Sequence, residues 1–318
     1  MLALSLACFV FAAAATARAA DAYPSRPVRW IVPFTPGAGT DTTARLVAQR
    51  LSERFGQQFI IENKPGAGAN IGTEAVINAP PDGYTLLLVS PGDAINATLY
   101  RRLAFNFQRD IVTVAAIMRV PNVMDVTLSL PVHTVAEFIA YAKAHPGKIN
   151  MASSGSGTSV HLSGELFKAM AGVDLLHVPY RGSSPALNDL IAGQVEVIFN
   201  NMPSSLPLVQ SGKMRALAVT SATRSHLWPE VPTVAETVPG YEASAWYGLG
   251  VPRGTPPEIV ATLSRAVNDV LADPQMGARL TELGGTLLPG TPDDFARLIA
   301  EETEKWGKVV TSLGLAVD

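Results

Sequence analysis

Short apolar runs alternate with amphipathic helical patterns along most of this chain of 318 residues. Short runs bounded by turn residues are typical of buried strands, and apolar residues at positions i, i+3, i+4 and i+7 are typical of helices with one buried face. Their alternation predicts an α/β fold with mainly parallel sheets flanked by helices. We expect strands near residues 28–34, 59–62, 84–89, 112–117, 148–152, 175–178, 195–199, 214–220 and 246–251. We expect helices over residues 41–55, 134–144, 159–171, 184–192, 256–272 and 292–312.

Residues 1–20 are typical of a secretory signal peptide. Residues 1–15 are mostly apolar but too few to span a membrane, and the pattern Ala17-Arg18-Ala19 predicts cleavage after Ala19 or Ala20. The chain is 47% hydrophobic and 16% charged, which suits a globular protein with a large core. We therefore expect a globular protein exported to the periplasm. The basic residues that usually begin a signal peptide are missing. Either the true start codon lies upstream of Met1 or the signal peptide is atypical.

The only cysteine, Cys8, lies in this segment. The mature chain is therefore expected to have no disulfide, thiol nucleophile or thiolate metal ligand. Residues 4–8 loosely resemble a lipoprotein cleavage box, but the later cleavage site favours export without lipidation. Removing residues 1–20 takes away Arg18 alone and changes the formal net charge from −3 to −4. A mildly acidic chain without basic runs is not expected to bind nucleic acid.

Two Gly/Ser/Thr loops, more than a hundred residues apart, each lie between a predicted strand and a predicted helix. The first, residues 35–41, reads Thr-Pro-Gly-Ala-Gly-Thr-Asp, and the second, residues 153–159, reads Ser-Ser-Gly-Ser-Gly-Thr-Ser. Such loops present backbone N–H groups and small hydroxyls at the positive end of a helix, where negative charge is favoured. The pair predicts capture of a small anion between two lobes.

The patterns that indicate metal, nucleotide or hydrolytic chemistry are missing. The five histidines show no metal-ligand spacing, and neither loop matches G-x-S-x-G, G-x-G-x-x-G or a Walker A motif. We expect no metal and no cofactor. His161, one turn into the helix after the second loop, either organises that loop or simply packs beneath it.

Two further turns contain residues of interest. Residues 63–72 form a third Gly-rich turn, which either lines a site or only lets a strand turn into a helix. Residues 177–185 follow a predicted strand and include Tyr180 and Arg181. The Arg181 guanidinium either pairs with a carboxylate in a bidentate manner or holds the lobe together through backbone carbonyls.

At these motifs the chain resembles the Bug or TctC-like family, the periplasmic solute receptors of tripartite tricarboxylate transporters. The second loop and His177-Val178-Pro179-Tyr180-Arg181-Gly182 are part of a series of matching segments in the same order. These segments are residues 23–27, 32–37, 62–68, 82–87, 153–158, 177–182, 212–220, 232–236, 239–242 and 246–249.

The resemblance implies a two-lobed, flytrap-like solute-binding fold. Lobe 1 would comprise residues 21–123 and 246–318, and lobe 2 residues 124–245. The lobes would close on a small carboxylate held by both loops, and the loaded receptor, expected to be a monomer, would dock on membrane permease subunits. Carried over to this sequence, the ligand-binding residues are Thr35, Gly37, Ala38, Gly39, Asp41, Ser90, Asn96, Ser153, Ser154, Gly157, Thr158, Ser159, Tyr180 and Asn200.

Two departures from the family pattern bear on the ligand. Ala38 stands where a second glycine is usual, and Asn200 stands where an aspartate is common. Loss of that charge favours a dicarboxylate or an aromatic acid over an amino acid. Two other functions stay open: an orphan solute sensor that feeds a two-component system, and an exported hydrolase that uses Ser154 or Ser156 with His161.

Overall fold

A computed structural model describes residues 23–318 of the chain. The predicted signal peptide and Cys8 lie outside the described residues. Among the helices of this part, none is long and apolar enough to cross a membrane.

Strands and helices alternate as expected. The strands are β1 (Val28–Val32), β2 (Phe59–Asn63), β3 (Thr85–Val89), β4 (Ile111–Val126), β5 (Asn150–Ser153), β6 (Leu176–Pro179), β7 (Val197–Asn201), β8 (Arg215–Val219), β9 (Ser244–Pro252) and β10 (Thr286–Leu287). The α-helices are α1 (Gly39–Phe55), α2 (Asn70–Ile77), α3 (Pro91–Leu99), α4 (Phe107–Asp110), α5 (Val135–Ala144), α6 (Ser159–Ala171), α7 (Ser183–Ile191), α8 (Met202–Gln210), α9 (Pro257–Ala272), α10 (Pro274–Glu282) and α11 (Pro292–Ser312). Two 3-10 helices span Ala67–Ala69 and Val234–Glu236.

Every predicted strand and helix is present, and α6 and α11 have the predicted bounds. The sequence patterns did not predict β10, α2, α3, α4, α8 or α10. Helix α8 is an instructive case because Pro203 lies in its first turn and Pro207 lies inside it. Proline removes a backbone donor and is normally a sign that a helix ends, so the pattern was not recognised as helical.

The sheet is mixed rather than mainly parallel, which corrects that part of the prediction. The strand order is β2-β1-β3-β9-β4-β7-β5-β6, with β8 and β10 also paired to β4. The outer strands pair in parallel, β1 with β2 and β3, and β5 with β6 and β7. Every pairing of β4 and β9 is antiparallel. The reason is that β4 carries the chain from one end of the sheet toward the other and β9 carries it back.

Strand β4 is continuous through both parts of the sheet. Its residues up to Pro121 pair with β9, and its residues from Asn122 onward pair with β7. We call the part with β1, β2, β3 and β9 the first half-sheet, and the part with β5, β6, β7 and β8 the second half-sheet. Only residues 112–117 of β4 were predicted as strand, because Pro121 and Asn122 interrupt the apolar pattern.

Each half-sheet has its own hydrophobic core. Helices α1 and α9 pack on the first half-sheet around Trp30, Val47 and Leu263. Helices α5 and α6 pack on the second around Phe138 and Phe167. The second core also takes in side chains from α3 and from the end of α11, which are Ile95, Leu99, Trp306 and Val310. The two halves are therefore joined both by strands and by a packed helical contact, and the lobe boundaries given above stay a prediction.

Candidate functional site

The first Gly/Ser/Thr loop is held in place by Asp41. The Asp41 carboxylate accepts hydrogen bonds from Gly37 N at 2.9 Å, from Arg45 Nε at 2.9 Å and from Asn63 Nδ2 at 2.9 Å. Burial acts to raise the pKa of Asp41, but the hydrogen bonds from Arg45, Gly37 and Asn63 outweigh it and lower the pKa. Both carboxylate oxygens are thus engaged by protein donors, and Asp41 shapes the loop ahead of α1.

This loop contacts helices α7 and α8, which follow strands β6 and β7 of the second half-sheet. Gly39 N, at the start of α1, donates a hydrogen bond of 2.7 Å to Ser204 Oγ in α8. Ser184 Oγ in α7 donates to Pro36 O at 3.1 Å, and Thr35 Oγ1 donates to Ser184 Oγ at 3.4 Å. Ser184 and Ser204 were not predicted as site residues. Their positions in the first turns of helices were the available signal, but the partner loop lies 149 and 165 residues away in sequence.

The second loop forms the N-terminal cap of α6. Thr158 Oγ1 donates to Gly155 O at 2.8 Å and accepts from His161 N at 3.3 Å. Ser154 Oγ donates to Thr158 Oγ1 at 3.1 Å. Gly157 N donates to His161 Nδ1 at 3.2 Å. Because one loop N–H is bound to the imidazole, His161 organises the loop, which is the first of the two roles considered for it.

His161 stacks on His177, with ring centroids 4.0 Å apart and ring planes 22° apart. Burial lowers the pKa of His161 to about 3 and that of His177 to about 4, so both rings are neutral at pH 7. Ser153 Oγ lies 2.7 Å from His177 Nε2. The stacked pair forms the floor beneath the second loop.

His161, Glu165 and His177 also place nitrogen and oxygen atoms within 4.8 Å of one another, as a metal site requires. Their other contacts do not suit a metal ion. His161 Nδ1 accepts from Gly157 N, and Glu165 is paired with Lys168 Nζ at 2.9 Å. Two nearly parallel stacked rings also direct their in-plane lone pairs alongside each other rather than toward one point. We therefore assign these residues to the support of the loop.

The second loop meets the third Gly-rich turn. Asn96 Nδ2, in α3, donates to Gly68 O at 2.8 Å and to Asn70 Oδ1 at 2.9 Å. A Cβ atom on Gly68, whose φ is +61°, would lie 2.1 Å from Ser156 O of the second loop. Only glycine permits this approach, so the third turn is part of the contact between the two halves. Tyr100 Oη adds a hydrogen bond of 3.3 Å to Ser156 O.

A cavity of about 200 Å³ lies where these loops converge. The first half-sheet contributes Pro33 and Phe34 next to the first loop, the third Gly-rich turn, Tyr100 and Val317. The second half-sheet contributes the second loop and the segment after β6. In the described part of the chain, the residues that line it are Pro33, Phe34, Gly66, Ala67, Gly68, Ala69, Tyr100, Ser154, Gly155, Ser156, Pro179, Tyr180, Arg181 and Val317.

The structure brings only some of the predicted ligand residues to this cavity. Ser154 and Tyr180 line it. The other members of the two loops lie around it as a supporting layer, as described above for Thr35, Gly37, Gly39, Asp41, Ser153, Gly157 and Thr158. Ala38 is buried as the N-cap of α1, and Ser90 is the N-cap of α3, where its N–H donates to Asp93 Oδ2 at 2.9 Å.

Asn200 is not brought to the cavity. Its side chain donates to Ser205 Oγ at 3.1 Å, and Ser205 Oγ donates to Asp125, whose pKa is raised by burial. The neighbouring residue Asn201 instead donates to Ser159 Oγ at 3.2 Å, at the N-terminus of α6. Successive residues of a strand point to opposite faces, so the side chain that faces the second loop belongs to Asn201.

The geometry does not favour the hydrolase alternative. In the described part of the chain, neither Ser154 nor Ser156 donates a hydrogen bond to His161. The seryl–histidine contact that does form joins Ser153 to His177, and both groups support the loop. A nucleophile needs a base within hydrogen-bond reach and a third group that orients the base. The pairing of Ser154 or Ser156 with His161 does not meet the first of these requirements.

Comparison with known proteins shows that this chain is similar to one protein family along most of its length. Residues 43–315 match the profile of the family described as "Tripartite tricarboxylate transporter family receptor". Protein BugT of Bordetella pertussis is 38% identical over 298 residues, which cover 93% of this chain and 91% of BugT.

Two solved structures of R. palustris proteins are also similar. Rpa4515 with adipate superposes with a TM-score of 0.91 and 43% identity, covering 92% of this chain and 99% of that one. MatC (Rpa3494) with bound malate has a TM-score of 0.86 and 35% identity, covering 91% and 100%. These likenesses confirm the predicted two-lobed α/β fold of solute-binding proteins, with a mixed rather than a mainly parallel sheet.

Proposed function

The chain belongs to the tripartite tricarboxylate transporter receptor family, and we propose that it captures a small carboxylate in the cavity between its half-sheets. The observation that carries the proposal is that the second loop and the third Gly-rich turn, one from each half, enclose the same cavity. Pockets for drug-sized ligands measure about 300–1,000 Å³, so a cavity of about 200 Å³ suits a smaller molecule.

Dicarboxylates are the first ligand class to test. One structural relative holds adipate and another holds malate, at 43% and 35% identity to this chain. An aromatic acid is the second class, as the sequence suggested. Asn200, whose missing charge was the sequence argument against amino acids, lies away from the cavity, so glutamate is tested beside these acids.

Binding requires no chemical step. Carboxylate oxygens exchange water for hydrogen-bond donors that the loops already position, and closure of the halves excludes solvent. Hydrogen bonds to a charged group contribute about 1.5–3 kcal/mol each, so a few of them suffice for a micromolar dissociation constant, near −8 kcal/mol. We propose β4 and β9 as the hinge, with lobe 1 formed by residues 21–123 and 246–318 and lobe 2 by residues 124–245.

We also propose where the protein acts and to which partner it delivers its ligand. The chain would be exported through the signal peptide of residues 1–20, act as a monomer in the periplasm and deliver its ligand to permease subunits in the membrane. The family is one of receptors and not of enzymes, which supports binding as the whole activity.

A thermal-shift experiment on residues 21–318 tests the proposal. The protein is unfolded and refolded to remove bound ligand, and adipate, malate, benzoate and glutamate are then added separately. A ligand present at 100 times its dissociation constant adds about 2.7 kcal/mol, which raises the melting temperature of a chain of this length by about 4 °C. We expect this rise with adipate or malate. A panel without any response, or turnover of ester substrates, would contradict a carboxylate receptor.

A further inference from the structure

Among the described residues that line the cavity, Arg181 is the single charged one. The remaining lining is made of backbone, hydroxyl groups and apolar side chains. The Arg181 side chain is exposed, and within residues 23–318 no hydrogen bond or ion pair occupies its guanidinium. An arginine that served to hold the lobe together would be bonded to carbonyl groups of that lobe, and this one is not.

The backbone on the N-terminal side of Arg181 is anchored within the second half-sheet. Tyr180 N donates to Ser153 O at 3.0 Å, at the start of the second loop. The Tyr180 hydroxyl donates to Asp189 Oδ2 at 2.6 Å, which fixes the aromatic ring against α7. The backbone immediately before Arg181 is therefore held in a fixed position at the rim of the cavity.

The backbone on the C-terminal side is anchored to the first half-sheet. A Cβ atom on Gly182 would lie 2.4 Å from Thr35 Oγ1, so glycine lets the two loops touch at this point. Ser184 Oγ then donates to Pro36 O at 3.1 Å. The contacts across this part of the cleft are made by Thr35, Gly182 and Ser184, and the Arg181 guanidinium is left free to meet a ligand.

A free guanidinium on a fixed backbone suits one type of ligand group. Its planar donors match the two oxygens of a carboxylate, and its exposure lets water hydrate the charge while the cavity is empty. One ligand carboxylate requires only the neutral donors of the loops. We propose that Arg181 pairs with the second carboxylate of the ligand and selects dicarboxylates over monocarboxylates of equal length.

The inference rests on the proposed function, and a comparison of two acids separates them. Adipate and hexanoate have the same number of carbons and differ in the second carboxylate. Dissociation constants for both are measured by calorimetry for the wild type, Arg181→Gln, Arg181→Lys and the control Arg279→Gln. Arg279 is an exposed arginine on α10, away from the cavity.

We expect the wild type to bind adipate at least tenfold more tightly than hexanoate. Arg181→Gln should weaken adipate binding by about ten- to a hundredfold and hexanoate binding by less than threefold. Arg181→Lys keeps the charge but loses the planar fork, so it should recover part of the adipate affinity. Arg279→Gln should match the wild type, and equal melting temperatures of the ligand-free variants check that all are folded.

Two results would overturn the inference in different ways. If the wild type binds adipate but Arg181→Gln binds it equally well, or loses affinity for both acids alike, the role given to Arg181 is wrong and the receptor function stands. If the wild type binds no acid of the thermal-shift panel and neither adipate nor hexanoate, the proposed function fails and the inference fails with it.

Discussion

His161 contributes to the candidate site as a neutral hydrogen-bond acceptor. Its Nδ1 receives the N–H of Gly157, and its ring is buried against His177. Burial lowers the pKa of His161 to about 3, below the usual value of 6.5. A group with a depressed pKa in the folded state stabilises the fold above its unfolded pKa, and the contribution is lost as the pH falls below 6.5 toward 3.

Replacement of His161 by asparagine should reduce the acid sensitivity of the fold. Asparagine keeps an acceptor for Gly157 N but does not titrate. Between pH 7.5 and 5.0 the wild type should lose about 2 kcal/mol of unfolding free energy relative to His161→Asn, since the pH then lies about 1.5 units below 6.5. Urea unfolding at both pH values measures this difference. The exposed His226→Asn is the matched control, and an equal loss in wild type and His161→Asn would contradict the prediction.

Helices and turns were predictable where their signals are local. Helix α6 has an N-cap threonine, Thr158, and ends at Gly172 in the left-handed conformation. Helix α11 begins with a capping box between Thr291 and Asp294 and buries one continuous stripe of side chains. Caps and periodicity depend only on neighbouring residues, so the sequence predicts both helices with their bounds. Helix α8 depends on packing against the sheet and was missed.

The turn between β6 and α7 should tolerate no side chain at Gly182. An added Cβ would clash with Thr35 Oγ1 and Cγ2, at 2.4 and 2.6 Å. Gly182→Ala should therefore hold the two loops apart and weaken adipate binding at least tenfold, measured by calorimetry. Thr35→Ala in the same protein removes the two clashing atoms and should restore part of the affinity. Thr35→Ala alone is the control, and full affinity in Gly182→Ala would contradict the proposed contact.

At the scale of the whole molecule, the two halves are in direct contact in this structure. The contact includes Gly39 N with Ser204 Oγ, and the third Gly-rich turn with the second loop. Ser204 is buried, and its hydroxyl accepts from a backbone group at the N-terminus of α1. The contact between the two halves is therefore formed partly by hydrogen bonds between protein groups.

Removal of the Ser204 hydroxyl should favour opening. A hydrogen bond of this kind contributes about 0.5–1.5 kcal/mol, so Ser204→Ala should weaken adipate binding by about two- to tenfold. The ligand-free variant should also have a larger radius of gyration than the wild type by small-angle X-ray scattering. Ser211→Ala, at the exposed C-terminal end of α8, is the control. Identical scattering and affinity in wild type and Ser204→Ala would show that this hydrogen bond does not hold the halves together.

Local patterns in the sequence were enough to predict the alternation of strands and helices, the two loops and the family. Each of these follows from residues close together in the chain, through periodicity, capping and turn chemistry. Three features became visible only in the folded chain: β4 runs through both halves, Ser184 and Ser204 contact the first loop, and Asn201 rather than Asn200 faces the second loop. These depend on strand pairing and on contacts between residues as far as 165 positions apart, which local patterns do not encode.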